Sequence, residues 1–139
     1  MFMSKEKQLH ESSISIDDIE SQLVLYQRVV DMAFRIKTIT TLKQRKVTRL
    51  INQAKEKLNS VEILYSVQLL IKTLKEIKLI EDEIIGILNK KDFHDKTYRK
   101  KAVLTKDEKM VLTLTNRNNF LESMNRNMNF TEQYNTKSI

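Results

Sequence analysis

The side chains able to do acid–base or ligand chemistry are few in this sequence, and their spacing is poor for it. There are two histidines and no cysteine. His94 stands between Asp92-Phe93 and Asp95, and a His–Asp pair can move protons. Neighbours in a connecting segment seldom reach that geometry, and no nucleophile accompanies them, so His94 reads as a surface histidine. His10 falls in a polar N-terminal stretch. A transition-metal site needs several convergent His, Cys or carboxylate ligands. Glu81, Asp82 and Glu83 are consecutive, and a helix spreads such residues about 100° apart, so they form no chelate by themselves. The repeated Glu-x-x-His of a di-iron bundle is missing from the sequence. A phosphate-cradling loop needs several glycines, and Gly86 is the only one. The expectation is a protein that is not an enzyme, with no catalytic, cofactor or metal residues and no small-molecule substrate.

Charge is the more informative chemistry. The 139 residues carry a formal net charge of +7, but it is unevenly placed. Residues 1–34 sum to −3, 35–58 to +7, 59–88 to −2, 89–109 to +4 and 110–139 to +1. Two segments therefore hold the excess. Lys43, Arg45, Lys46 and Arg49 in the first, with Arg99, Lys100 and Lys101 in the second, are the candidate contacts for phosphates or an acidic partner. The plainer reading is a solvated face complementing the chain's own acidic residues, Glu76 and Glu81 to Glu83, and it is favoured. No recognition-helix motif, Gly-rich clamp or row of stacking aromatics accompanies the cations.

These residues must be positioned by helices. One glycine and no proline in the whole chain leave too little turn chemistry for a sheet protein. Residues 1–14 lack a period and read as a tail. From Ser15, an N-cap followed by Asp17, Asp18 and Glu20, residues Ile16, Ile19, Leu23, Tyr26, Val30 and Ala33 recur at 3-4 spacing. Leu25, Val29, Met32 and Ile36 add a second stripe. The two stripes cover about half the circumference, more than an ordinary surface helix needs. Ile19, Leu23, Leu25, Tyr26, Val29, Met32 and Ile36 are therefore the candidate partner interface.

The junction Thr38-Ile39-Thr40-Thr41 is β-branched, and Thr41 with Gln44 matches a capping box. The chain can restart there, but a continuous or mildly bent helix over 15–58 is favoured, with Val47, Leu50, Ile51, Ala54 and Leu58 as its second face. Asn59 caps a hairpin and Glu62 reaches back to it, so a second helix is expected over 60–89. Gly86 inside it suggests a close helix approach. Glu81 interrupts that helix's apolar face. It reads either as a position the stripe drifts around, through Ile80 and Ile87, or as a register-setting polar residue paired with Arg35 or Lys37. Residues 90–105 form a long basic loop. Thr105 with Glu108 is the best capping box in the chain, and opens a last helix over 106–128 whose face includes Val111, Leu114, Leu121, Met124 and Met128. Residues 129–139 read as frayed.

The sequence thus predicts an all-α fold: a long antiparallel, coiled-coil-like helical hairpin plus a shorter C-terminal helix, in a three- or four-helix bundle. No secretion signal or membrane span is evident, which points to a cytoplasmic protein. The functional expectation is a non-enzymatic interaction protein, a small structural or adaptor subunit with a protein partner or a second copy of itself. The alternative is a basic helical DNA- or RNA-binding regulator.

Overall fold

The structure is a computed structural model, and it describes residues 16–100 and 102–115. Every regular element among them is helical. Helix α1 spans Ile16–Arg35 and buries Ile19, Leu23, Tyr26, Val29, Val30, Met32 and Ala33. Asp17 and Asp18 occupy its first turn, where carboxylates oppose the positive end of the helix dipole.

The expected continuous helix does not form. Lys37 adopts a left-handed conformation with φ of 60°. The Thr38 amide donates to the Ala33 carbonyl at 2.8 Å and the Lys37 amide to the Phe34 carbonyl at 3.0 Å. This is the Schellman pattern that closes a helix C-terminus, built without glycine. Thr40, not Thr41, then caps helix α2, Thr41–Leu64, accepting from the Lys43 amide. Two threonine hydroxyls and β-branched crowding favour this restart over helix continuation. Ile36 and Ile39 flank the turn and are buried in the core, so the reversal is held by packing.

The expected turn at Asn59 is also displaced. Leu58 and Val61 are both buried, so the apolar face carries α2 one turn further. Ser60 remains helical and donates to the Glu56 carbonyl at 3.2 Å. The reversal comes at Tyr65, left-handed with φ of 50°, whose amide donates to the Val61 carbonyl at 2.8 Å. Ser66 then caps helix α3, Val67–Leu88, accepting from the Leu69 amide. Antiparallel pairing of α2 and α3 is fixed by Lys43 and Lys46 on Glu83 and by Lys57 on Glu76. Gly86 marks no close approach: a Cβ built on it would meet nothing within 4 Å.

Residues 90–105 are not simply a loop. Helix α4, Lys91–His94, runs into a π-helical turn at Asp95–Arg99. Phe93 is fully buried and anchors the segment. Helix α5, Lys106–Leu114, begins at the expected capping box: Thr105 accepts from the Glu108 amide at 3.1 Å, and Glu108 accepts from the Thr105 amide at 2.8 Å. Arg35 at the end of α1 reaches this box, donating from Nε to Glu108 Oε2 at 2.7 Å and from Nη2 to the Val103 carbonyl at 2.8 Å. Val111 turns inward against the common core. The expected tails 1–14 and 129–139, Ser15 and the 116–128 portion of the last helix lie outside the described residues.

Helices α1, α2 and α3 thus pack as an up-down-up bundle, with α5 against α1. The register of α1 on α2 is set by Gln27 on Thr48 and by Gln44 on Asp31. It carries Ile16 to about the level of Asn59 at 1.5 Å per residue. The last turn of α2 and the first of α3 therefore extend past the described part of α1.

Candidate interaction surfaces

The residues expected to form a partner interface on α1 lie in the chain's own core. Ile19, Leu23, Tyr26, Val29, Met32 and Ile36 are buried, and Leu25 is half-buried against the core. The wide apolar arc of α1 has a physical account within one chain: it touches α2, α3 and α5.

Glu81 is buried and accepts a hydrogen bond from the Tyr26 hydroxyl at 3.0 Å. The partners expected for it are engaged elsewhere or turned out: Arg35 binds Glu108, and Lys37 sits exposed in the turn. The stripe does use Ile80 and Ile87, both buried, yet Glu81 is enclosed beside them. Burial, followed by the negative charge of Glu81, pushes the Tyr26 phenol far above its usual range. A buried carboxylate and phenol that share a hydrogen bond link α3 to α1 at one defined level.

The candidate cations divide into three groups. Lys43 and Lys46 share the Glu83 carboxylate, whose pKa is held below its ordinary value chiefly by the Lys43 hydrogen bond. This pairing is the internal complementation expected from the sequence. Arg99 lies 3.8 Å from Asp95, a loose i,i+4 pair, and Lys100 is exposed beyond it. Lys101 lies outside the described residues. Arg45 and Arg49 are exposed and have no carboxylate partner among the described residues. They line an open groove of about 590 Å³ between α1 and α2, with Gln27, Thr48, Asn52 and Gln53 among the other walls. Within it, Gln27 Nε2 donates to Asp31 and Thr48, while Gln27 Oε1 is buried with no partner among the described residues.

One further surface emerges only in the folded chain. Ile63, Leu64, Tyr65 and Val67 at the α2–α3 reversal are exposed to 67%, 66%, 90% and 46%. A signal for it was present in the sequence. Three consecutive large apolar residues cannot share one helix face at about 100° per residue, so some of Ile63-Leu64-Tyr65 had to point away from the core. Val24, Leu42, Leu79 and Val103 are also exposed, each on a different element, and Met110 and Leu114 are exposed on α5.

His94 is exposed, with its ring 5.0 Å from that of Tyr98 and tilted by 34°. Burial raises the Tyr98 phenol above its usual pKa. Among the described residues, no group of three His, Cys, Asp or Glu side chains is placed to hold a metal ion. None of the described helices is long and apolar enough to cross a membrane. No protein family, curated protein or solved structure matches this chain.

Proposed function

We propose that this chain is a non-enzymatic helical interaction protein, a small structural or adaptor subunit, that docks a protein partner through the apolar tip of the α2–α3 hairpin. The exposure of Ile63, Leu64, Tyr65 and Val67 within five residues of chain supports this reading. Scattered exposed apolar side chains are ordinary, whereas a contiguous group at a helix reversal supports an interaction role. Fully burying each such side chain stabilises a complex by about 1.5–3 kcal/mol before the cost of association. Tyr65 suits the role further, since a rigid aromatic with a polar tip is a common interface anchor.

A photo-crosslinking residue placed at position 65 of the full chain, expressed in cells, tests the reading, with the same residue at the exposed Lys78 position as a control. Discrete protein adducts should form from position 65 and not from 78. They should vanish in the Leu64→Asp/Val67→Asp variant while the melting curve stays within about 1 kcal/mol of the original, as expected for exposed positions. Identical adduct patterns from 65 and 78, with a monomer in sedimentation, would overturn the proposal.

A further inference from the structure

The break between α1 and α2 brings together two basic segments that lie about fifty residues apart in sequence. Lys96 Nζ donates to the Ile36 carbonyl at 2.9 Å and to the Lys37 carbonyl at 3.4 Å, and Lys90 Nζ donates to the Thr38 carbonyl at 3.4 Å. The 90–100 segment is thereby pinned against the α1–α2 turn. Residues 35–49 contain six basic and no acidic side chains, and residues 90–100 contain five basic and two acidic. The α1–α2 turn and the 90–100 segment occupy the end of the bundle opposite the Tyr65 tip, and Arg45 and Arg49 follow within the first nine residues of α2.

Part of this charge is used internally. Arg35 binds Glu108, Lys43 and Lys46 share Glu83, and Lys96 pairs with Asp92 at 3.1 Å. Lys37, Arg45, Arg49, Lys91 and Lys100 are all exposed, and none of them has an ion pair among the described residues. Clustered like charges repel one another and gain when a polyanion releases its counterions on binding them. Arg45 and Arg49 are four apart on one helix, so their side chains are neighbours. Beside them the groove supplies Thr48, Asn52 and Gln53, hydroxyl and amide groups of the kind that bond phosphate and sugar, alongside the carboxylates Asp31 and Glu56. The His94–Tyr98 ring pair lies at the same end.

We infer that this end of the bundle is a sequence-independent binding surface for the phosphate backbone of a nucleic acid. A membrane surface fits less well. Leu42 and Val103 are exposed at this end, but the contiguous apolar group lies at the far end of α2, so it and the basic surface cannot face one bilayer together. An acidic protein would find no apolar anchor in the groove, whose walls beside the two arginines are amides, Thr48 and the carboxylates Asp31 and Glu56. This inference does not depend on the hairpin-tip reading, because the two surfaces share no residue.

Fluorescence anisotropy of the full chain with a labelled 20-nucleotide single strand and a 20-base-pair duplex, titrated in salt, is the test. Binding at micromolar Kd or tighter is expected at 50 mM salt. Three to five phosphate contacts should weaken it about 40–500-fold for the duplex and about 20–130-fold for the single strand by 200 mM. Arg45→Glu/Arg49→Glu/Lys91→Glu/Lys100→Glu should lose at least 10-fold with an unchanged circular dichroism spectrum, and the four-site exchange of Arg for Lys and Lys for Arg should retain binding. Four results would overturn the inference: no binding at 50 µM protein, equal binding by the glutamate variant, equal binding to polyglutamate, or preference for vesicles containing 30% phosphatidylserine.

Discussion

Removing the Tyr26 hydroxyl should leave a signature that only an enclosed phenol can give. Tyr26→Phe keeps the buried ring and deletes the hydroxyl's hydrogen bond to the Glu81 carboxylate, together with its hydrogen bond with the Gln22 side chain. A bond to a charged group contributes about 1.5–3 kcal/mol, so the variant should be less stable by about that amount at pH 7. The pH dependence is more specific. The folded-state pKa is raised, first by burial and then by the Glu81 charge, from an ordinary value of 10.0. Above pH 10 the unfolded chain releases this proton and the folded chain keeps it. The unfolded state then binds fewer protons, so stability falls as pH rises. For one such group the loss is about 1.4 kcal/mol at pH 11 and about 2 kcal/mol at pH 11.5.

Urea unfolding of the original chain and of Tyr26→Phe, followed by circular dichroism from pH 8 to 11.5, isolates this term. Lysine titration is common to both proteins and cancels in the difference. The stability gap should be constant to about pH 9.5 and close by about 2 kcal/mol at pH 11.5. Because burial outranks the charge of Glu81 as the cause, most of the alkaline loss should persist in Glu81→Gln. A gap that stays constant from pH 8 to 11.5 would mean that the phenol ionises equally in both states and is not enclosed in the fold.

Gly86→Ala should raise stability by about 0.5–1 kcal/mol, because the position is helical and exposed and the added Cβ meets nothing within 4 Å; a thermal melt reads it, and destabilisation would mean a contact absent from this packing. Lys37→Gly should stabilise by about 0.5–1 kcal/mol by relieving a left-handed non-glycine residue; differential scanning calorimetry distinguishes this from a loss through backbone entropy. Glu108 and Glu83 are both held below their ordinary value of 4.5, chiefly by their hydrogen bonds to Arg35 and Lys43. The stability they contribute is present above pH 4.5 and lost as pH falls through their lowered values. Glu108→Gln and Glu83→Gln should therefore each flatten the acid limb of a pH 2–5 stability profile by about 0.5 kcal/mol, and an unchanged limb would remove these pairs from the account.

The helix faces were legible in the sequence and the helix ends were not, for one physical reason. Ile19, Leu23, Tyr26, Val30 and Ala33 recur at 3-4 spacing and are all buried, because burial acts on periodicity directly. Thr105 and Glu108 were legible because a capping box is made by two side-chain types at fixed separation. The two tight reversals instead use Lys37 and Tyr65 in the left-handed region. Neither residue type announces that conformation, and the only glycine lies elsewhere, in α3. Asn59 had the chemistry of a cap, but one more buried contact at Val61 outweighed it. Glu81 meets Tyr26 rather than Arg35 or Lys37, because the break at Lys37 turns Arg35 toward Glu108 and leaves Tyr26 level with Glu81.

That break also decides what the charged segments can do. In an uninterrupted first helix, residues 43–49 would lie midway along a rod, away from residues 90–100. With the chain reversed at Lys37, both segments meet at one end, while Ile63, Leu64, Tyr65 and Val67 are carried to the other. Arg49 and Leu64 lie fifteen residues apart on α2, about 22 Å along the helix. Sites that far apart with no shared partner should be energetically independent. Leu64→Asp/Val67→Asp should therefore leave oligonucleotide affinity within about twofold, and Arg45→Glu/Arg49→Glu should leave the crosslinks from position 65 intact. Loss of both activities in either variant would place the two partners on one surface, and a bundle with its two surfaces at opposite ends could not produce that result.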